Sequence, residues 1–261
     1  MIDSIQSGDA AFSFSESGLN VVYLPIAGEK HTMSILKIES EDSLIEKREM
    51  LEGFSRIYSN YLLILNESQR DKLTSLLNRR TFEQKLTRMM QIQKSYKDDY
   101  DGAKERRRLT PNSFAWLAII DIDKFKRIND THGHIYGDEV ILFLAHKMRE
   151  FFRDNDLLFR MGGEEFVIVF EPMPYHTAEA ALERFRATIE EQIFPQIDSI
   201  TISIGFAKIT EVDYPPAILD RADKALYYAK QNGRNRVDNY ELLLENNLME
   251  DSAIEESIDL F

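Results

Sequence analysis

The sequence of 261 residues contains no cysteine, so disulfide bonds and thiolate metal sites are both excluded. No apolar run approaches the ~20 residues that a membrane-spanning helix needs. The N-terminus also lacks the basic and then apolar layout of a secretory signal. These absences predict a soluble, cytoplasmic protein without a membrane span.

Positive charge is scarce as well. The sequence contains 32 Lys and Arg residues and 45 Asp and Glu residues, and the resulting net charge of −13 argues against a nucleic-acid-binding surface. Any anionic ligand must therefore meet locally placed Lys and Arg side chains. The chain is long enough for one α/β domain of about 150–170 residues together with an accessory segment.

Residues 1–40 form a short N-terminal segment with little diagnostic pattern. Residues 12–14, 21–25 and 32–37 have the character of short strands. Three such strands are too few for an independent core. The segment is therefore predicted to be a small sheet that needs a partner, or to be partly disordered.

Residues 41–70 have a helical pattern with a seven-residue repeat. Apolar side chains recur at Leu44, Leu51, Tyr58 and Leu65, with Phe54 and Tyr61 at the intervening positions. One interpretation is a helix packed on its own domain. A parallel two-stranded coiled-coil stalk is favoured, because it fills both kinds of apolar position.

A Gly-Gly pair separates two apolar runs, residues 157–161 and 166–170. Gly162 and Gly163 predict a tight hairpin turn, since glycine adopts positive φ without a steric penalty. The next two residues are Glu164 and Glu165, and neighbours on a strand point to opposite faces. At least one of the two carboxylates should therefore face a site that tolerates concentrated negative charge, most simply a bound cation.

A second group of carboxylates follows the continuous apolar run of residues 114–120, which predicts a strand covered on both faces. Carboxylates at the end of a buried strand are costly unless they are paired, hydrogen-bonded or bound to metal. If this strand lies beside the hairpin, Asp121, Glu164 and the carbonyl of Ile122 supply oxygens to Mg²⁺, or to Mn²⁺. The alternative is a hairpin with solvated glutamates and an Asp that caps the next helix.

Polar residues at 124–138 and the helix at 218–232 predict a nucleotide site. Asn129 and Asp138 are a suitable pair for guanine, because the carboxylate accepts from N1–H and the amide donates to an acceptor. Lys230 and Arg234 lie one turn apart and are suited to clamp a triphosphate. The acidic tail, residues 241–261, predicts either an amphipathic docking helix or a frayed end.

Five motifs occur together in the order Asp71-x-Leu73-Thr74-x-Leu76-x-Asn78-Arg79-Arg80, Asp121-Ile122-Asp123-x-Phe125-Lys126-x-Ile128-Asn129-Asp130, Gly133-His134-x-x-Gly137-Asp138, Gly162-Gly163-Glu164-Glu165-Phe166 and Ala222-Asp223-x-Ala225-Leu226-Tyr227-x-Ala229-Lys230-x-x-Gly233-Arg234-Asn235. Over residues 71–240 the chain strongly resembles the GGDEF domain, the diguanylate cyclase module. The resemblance implies an α/β fold of the α+β sandwich type, palm-like with βαββαβ order. It also implies Mg²⁺-dependent condensation of two GTP into cyclic di-GMP with loss of two pyrophosphates.

The resemblance also implies roles for individual residues. Metal binding falls to Asp121, the Ile122 carbonyl and Glu164, and Glu164 or Glu165 assists deprotonation of the 3′-hydroxyl. The substrate-binding residues that it implies are Asn129 and Asp138 for guanine, and Lys230, Arg234 and backbone groups around Phe125 and Lys126 for the phosphates.

An Arg-x-x-Asp sequence lies five residues before the Gly-Gly turn, and in many members of the family this motif binds the product. Here Arg153 and Asp156 occupy those positions, so an inhibitory product site is favoured over an ordinary charged helix end. Arg184 or Arg186 is a candidate second contact, and the sequence does not distinguish between them.

One domain of this kind holds one GTP, so a homodimer is expected, with the stalk raising the effective concentration of one half-site for the other. The alternative is a catalytically silent module that acts as a receptor for GTP or cyclic di-GMP. A third hypothesis is a scaffold in which residues 1–70 or the acidic tail bind an activating protein partner, as in biofilm signalling circuits.

Overall fold

The computed structural model describes residues 10–27, 32–98, 113–194, 197, 199–210 and 213–249, and the chain divides into two units, residues 1–69 and 70–261. The remaining parts of the predicted N-terminal segment and of the acidic tail lie outside the described residues. Within the described ranges, no helix is long and apolar enough to cross a membrane.

The first unit is a three-stranded antiparallel sheet with one helix. The strands are β1 (Ala11–Phe14), β2 (Asn20–Ala27) and β3 (Thr32–Ser40), in the order β1-β2-β3, and the helix is α1 (Arg48–Ser68). The buried core of this unit includes a cluster of Val22, Leu24, Leu44 and Leu51. The helix therefore supplies the apolar partner that the small sheet needs.

The seven-residue repeat of α1 is divided between two environments. Leu44 and Leu51 are buried, and the Ser55 hydroxyl donates a hydrogen bond of 2.8 Å to the Pro25 carbonyl of β2. Phe54 and Tyr61, by contrast, are 61% and 56% exposed. Leu44 and Leu51 of the repeat thus pack in the core of their own unit, whereas Phe54 and Tyr61 face solvent.

The second unit contains a six-stranded sheet in the order β4-β6-β7-β5-β8-β9. Its strands are β4 (Leu77–Asn78), β5 (Ser113–Ile122), β6 (Leu157–Gly162), β7 (Glu165–Pro174), β8 (Ile202–Lys208) and β9 (Val237–Asn239). Strand β5 is antiparallel to both of its neighbours, β7 and β8, whereas β4 and β9 pair in parallel at the two edges.

Helices cover both faces of this sheet. They are α2 (Arg79–Asp98), α3 (Phe125–His132), α4 (His134–Phe151), α5 (Tyr175–Glu190), α6 (Pro215–Gln231) and α7 (Tyr240–Glu245). The order β5, α3–α4, β6, β7, α5, β8 is the βαββαβ order that the resemblance implied, so the predicted fold class is confirmed.

Strand β5 lies between two apolar cores because its residues alternate between the faces of the sheet. Trp116, Ala118 and Ile120 belong to the core that includes α4 and α5 residues, whereas Leu117 and Ile119 belong to the other. All five are buried, as the continuous apolar run predicted. The next residue of the strand, Asp121, is also buried, at 6% exposure.

The start of the acidic tail is ordered. Tyr240 and Leu243 on α7 are each 4% exposed and belong to the same core as Leu86 of α2 and Ala222 of α6. The Asn239 side chain caps this helix by accepting a hydrogen bond of 3.0 Å from the Leu242 amide. This part of the tail docks as a short helix.

Candidate active site

The Gly-Gly turn has the predicted hairpin geometry. Strands β6 and β7 pair antiparallel, and Gly162 and Gly163 have φ values of 146° and 52°. A Cβ built on either glycine would meet no atom within 4 Å, so backbone conformation rather than space favours glycine here. The turn carries Glu164 and begins β7 at Glu165.

Arg160 holds this turn in place. Its Nε and Nη2 donate hydrogen bonds of 3.2 and 2.9 Å to the Gly163 carbonyl, and its Nη1 donates one of 3.0 Å to Asp71 Oδ1. Asp71 also accepts hydrogen bonds from the amide and hydroxyl of Thr74. Burial raises the pKa of Asp71, but the Thr74 and Arg160 hydrogen bonds outweigh it and leave the pKa below its usual value.

Asp121 lies at the centre of the acidic site. Its Cα pairs in register with Glu165 on one side and with Ser203 on the other, and the residue is 6% exposed. The Lys230 ammonium approaches Asp121 Oδ2 to 2.8 Å. Burial raises the pKa of Asp121 to about 6, Lys230 opposes that shift, and the charges of Glu164 and Glu165 reinforce it. Strongly concentrated negative charge of this kind attracts a cation.

The donor set suits a hard divalent ion. Asp121, Glu164 and the Ile122 carbonyl supply oxygen only, and Mg²⁺ typically takes one or two carboxylates together with waters and phosphate oxygens. No group of three or more His, Cys, Asp or Glu side chains that could hold a metal occurs among the described residues.

The predicted base-binding residues are positioned by two successive helices. Gly133, with φ of 88°, ends α3 and precedes α4, so Asn129 lies on the first helix and Asp138 on the second. Asn129 Oδ1 is buried without a hydrogen-bond partner among the described residues. An unpaired buried acceptor costs about 1–3 kcal/mol, so this atom favours a ligand that donates to it.

Gly137 leaves room for the Asn129 side chain. A Cβ at position 137 would lie 2.0 Å from Asn129 Oδ1 and 3.1 Å from the Phe125 ring. Any larger residue would displace the amide, because the Phe125 ring is itself buried and has little space to move. The glycine is therefore required by close approach, which the sequence motif alone does not reveal.

The predicted phosphate contacts surround the end of β5. Lys124 has φ of 57° and precedes α3, so the first amides of that helix, at Phe125 and Lys126, lie at its N-terminus, where backbone N–H groups favour anions. A cavity of about 510 Å³ adjoins this point, and it is lined by Asp123, Lys124, Arg127, Ile128, Thr131, His132, Ile197, Ser199, Thr201, Gly233, Arg234 and Asn235.

The two candidate second contacts of the product site have different surroundings. Arg184 Cζ lies 5.6 Å from the centroid of the Phe151 ring, at the end of the helix that leads to Arg153. The Arg186 side chain is only 12% exposed and bonds to acidic residues of its own helix. Arg184 thus contacts a residue two positions before Arg153, whereas Arg186 bonds to Glu183, Glu190 and Asn235.

The Asp156 carboxylate is largely buried and is hydrogen-bonded within that segment. Its Oδ2 accepts a hydrogen bond of 3.0 Å from the Arg153 amide, and the residue is 8% exposed. Burial raises the pKa of the Asp156 carboxyl, and the contacts with Arg153 oppose the shift. Arg153 itself is exposed and accessible to a ligand.

Sequence reasoning missed Asp123 as a structural anchor. Asp123 is 7% exposed and accepts hydrogen bonds from the hydroxyls of Thr201 and Ser203 and from the Asn235 amide. The only signal in the sequence was a second carboxylate at a buried strand end. Its partners lie about 80 and 112 positions away, so no local pattern could identify them.

Comparison with known proteins supports the interpretation of the second unit. The sequence model described as "Diguanylate cyclase, GGDEF domain" matches residues 68–236. Diguanylate cyclase DgcM of Escherichia coli K12 is 38% identical over 168 residues, which are 64% of this chain and 37% of that protein. Diguanylate cyclase A of Treponema denticola is 41% identical over 136 residues, 51% of this chain and 36% of that protein. The chain thus matches little more than a third of these curated relatives.

Solved structures are similar over a longer part of the chain. The coiled coil and GGDEF domain of DgcB from Caulobacter crescentus, in complex with c-di-GMP, has a TM-score of 0.61 at 27% identity and covers 76% of this chain and 100% of that one. Diguanylate cyclase SiaD from Pseudomonas aeruginosa, in complex with its activator SiaC, has a TM-score of 0.57 at 29% identity and covers 75% of this chain and 74% of that one.

Proposed function

We propose that this chain, which belongs to the diguanylate cyclase GGDEF-domain family, condenses two GTP into cyclic di-GMP and two pyrophosphates. One observation carries the proposal. Buried Asp121 lies in register with Glu165, its pKa is raised further by the charge of Glu164, and its carboxylate forms an ion pair of 2.8 Å with the Lys230 ammonium. Carboxylates and an ammonium at one strand end provide ligands for a divalent ion and a cation for phosphate.

In this proposal Asp121, Glu164 and the Ile122 carbonyl hold Mg²⁺ or Mn²⁺. When bound, the ion supplies Lewis-acid neutralisation of phosphate charge. Glu164 or Glu165 accepts the proton of the 3′-hydroxyl of one GTP. That oxygen attacks the α-phosphorus of the other GTP in line, and the bond to pyrophosphate breaks as the new P–O bond forms. The reciprocal attack, by the 3′-hydroxyl of the second nucleotide on the α-phosphorus of the first, releases the second pyrophosphate and closes the ring.

Lys230 and Arg234 orient and neutralise the triphosphate, together with the backbone amides at Phe125 and Lys126. Guanine binds between α3 and α4, where Asn129 and Asp138 pair with its polar edge. The unpartnered, buried Asn129 Oδ1 supports this assignment, because the base would supply its missing donor.

Two half-sites must meet for two GTP to react, so the active form in this proposal is a homodimer. The surface of α1 that supports it is an exposed apolar stripe formed by Met50, Phe54, Ile57, Tyr61 and Ile64. Its spacings alternate between four and three residues, the pattern of a coiled-coil seam. This register differs from the predicted one, because Leu44 and Leu51 are buried within their own unit.

Product inhibition belongs to the same proposal. Exposed Arg153 and the neighbouring Arg184 would bind phosphates of cyclic di-GMP, and Asp156 shapes the segment through its bond to the Arg153 amide. Solved relatives of this fold contain c-di-GMP, which supports a product site in the family.

An activating partner at residues 1–70 completes the proposal. SiaD was solved with its activator SiaC, and it resembles 75% of this chain. On the first unit, Phe14, Ile35 and Leu36 are 71%, 48% and 44% exposed, so the small sheet presents apolar side chains to which a partner could bind.

The test is incubation of the purified full chain with GTP and Mg²⁺, with Mn²⁺ in a parallel sample, followed by chromatographic separation of the nucleotides. We expect cyclic di-GMP and pyrophosphate in a ratio of one to two. Bound GTP without product, at protein concentrations where the chain is dimeric and with a partner protein present, would contradict the proposal and favour the receptor function.

A further inference from the structure

The turn after α6 is conformationally strained. Gly233, Arg234 and Asn235 have φ values of 110°, 64° and 48° in succession. Only glycine adopts such values freely; in the left-handed region the Cβ of other residues approaches the following carbonyl oxygen, and Asn tolerates this better than Arg. Strain of this kind persists where the surroundings fix the backbone, and it concentrates at functional sites.

Asp123 fixes the turn from the side of the sheet. Its Oδ2 accepts a hydrogen bond of 3.0 Å from the Asn235 amide. Its two oxygens also accept hydrogen bonds of 2.7 Å from the Thr201 hydroxyl and 2.6 Å from the Ser203 hydroxyl. The carboxylate is therefore fully engaged and serves as an anchor.

Arg186 and Glu190, both on α5, bond to the side chain of Asn235. Arg186 Nη1 donates a hydrogen bond of 2.6 Å to Asn235 Oδ1 and one of 2.7 Å to Glu190 Oε2. Asn235 Nδ2 in turn donates one of 2.6 Å to Glu190 Oε1, which closes a ring of three side chains. Charge-assisted hydrogen bonds of this length are stronger than neutral ones.

Glu183 holds Arg186 in the orientation that the ring requires. The Arg186 Nε lies 2.9 Å from each Glu183 carboxylate oxygen. These acidic partners raise the pKa of Arg186 further above its usual value, so the guanidinium stays charged. An arginine with this many partners is poorly suited to capture a free ligand.

Both anchors bond to Asn235, and the residue before it in the turn is Arg234, which lines the same cavity as Lys124. We propose that Arg186, acting through Asn235, is a positioning residue that holds Arg234 for binding the phosphates of GTP. This inference deepens the proposed cyclase function and rests on it. It gives Arg186 a role distinct from the product contact considered from the sequence.

The experiment compares the full chain with three variants, Arg186→Gln, Arg186→Lys and Asn235→Gly. Asn235→Gly keeps a residue that adopts positive φ freely and deletes only the bridging amide. We expect KM for GTP to rise about tenfold in Arg186→Gln and Asn235→Gly, since each loses the bond to the turn, with kcat changed less than about twofold. Arg186→Lys, which keeps one charged donor, should recover part of the loss.

Glu150→Gln is the matched control, because Glu150 and Lys147 form an exposed helix-surface pair at 3.0 Å on α4. It should leave KM and kcat unchanged. Unaltered KM in both Arg186→Gln and Asn235→Gly would overturn the inference, as would a loss confined to kcat. An equal rise of KM in the Lys and Gln variants would also overturn it.

Titration calorimetry with a GTP analogue that has a methylene between the α- and β-phosphorus separates this inference from the proposed function. If the wild-type chain binds the analogue but forms no cyclic di-GMP when incubated with GTP and Mg²⁺, the cyclase proposal fails. An about tenfold weaker binding by Asn235→Gly would then still support the positioning role. Equal binding by wild type and Asn235→Gly would overturn that role, and a wild-type chain that binds no analogue would overturn both.

Discussion

Lys230 and Asp121 form an ion pair of 2.8 Å that joins the last turn of α6 to the end of β5. Burial raises the pKa of Asp121, the charges of Glu164 and Glu165 raise it further, and the Lys230 ammonium opposes both effects. The Lys230 side chain is 31% exposed and so remains accessible to a phosphate. The pair links the metal-binding and phosphate-binding parts of the proposed site.

Replacing Lys230 by Met should therefore reduce the initial rate of cyclic di-GMP formation by about 100-fold, because one positioned charge is lost from the phosphate site. The matched control is Lys224→Met on the same helix, whose ammonium pairs with Asp220 at 2.9 Å. The control should retain most of the wild-type rate. Comparable losses in both variants would point to damage of α6 and contradict a specific role for Lys230.

Substituting Gln for Glu164 should lower turnover by about 100-fold or more and leave the fold intact, because the carboxylate is removed from an exposed turn and not from a core. The same is expected for Glu165→Gln. Mg²⁺ should raise the melting temperature of the wild-type chain, and it should raise that of Glu164→Gln less. Exposed Glu191→Gln is the control. A near wild-type rate in both variants would refute the acidic-site assignment.

Gly137→Ala should weaken GTP binding, because the new Cβ would meet Asn129 Oδ1 at 2.0 Å and force the amide away from the base. We expect KM to rise about tenfold or more, with a smaller change in kcat. Gly53→Ala in α1 is the comparison, since a Cβ there meets no atom within 4 Å. Steady-state kinetics on the two variants checks the prediction, and equal KM values would contradict it.

Arg184→Ala should relieve product inhibition, since Arg184 lies over the Phe151 ring beside the Arg153 segment. The inhibition constant for cyclic di-GMP should rise about tenfold or more with the loss of one charge-assisted contact. Arg186→Gln, two positions further on the same helix, should leave that constant unchanged because Arg186 is committed to Glu183, Glu190 and Asn235. The reverse pattern would assign the product contact to Arg186.

The parts of the site that were predictable from sequence are those coded locally. The Gly162–Gly163 turn and the strand end at Asp121 can each be predicted from neighbouring residues, because a few consecutive positions determine turn conformation and indicate strand burial. The bond from Arg160 to Asp71 spans 89 positions and that from Asn235 to Asp123 spans 112, so both depend on the assembled sheet. Residue type alone gave no indication of these partners.

The helix α1 shows a different limit. A heptad pattern reports that a helix face is covered, but it does not say whether the cover is a second helix or the protein's own sheet. Leu51 is 8% exposed against the sheet of its own unit, whereas Ile57 is 68% exposed on the stripe. The strands within residues 10–40 cover one face of α1 and so determine which heptad register of the helix remains exposed for a partner. These strands are weakly patterned in sequence.

Combining Phe54→Asp with Ile57→Asp should therefore convert the chain to a monomer with low cyclase activity, because four charges would meet in the seam of a dimer. Sedimentation velocity, with and without GTP, measures the oligomeric state. Arg56→Ala is the control on this helix, since the Arg56 side chain is 81% exposed. Leu51→Asp should instead lower the melting temperature of the first unit, because it buries a charge in that core. A fully active monomer, or a dimer unaffected by both Asp substitutions at matched concentration, would contradict the stripe as the contact between subunits.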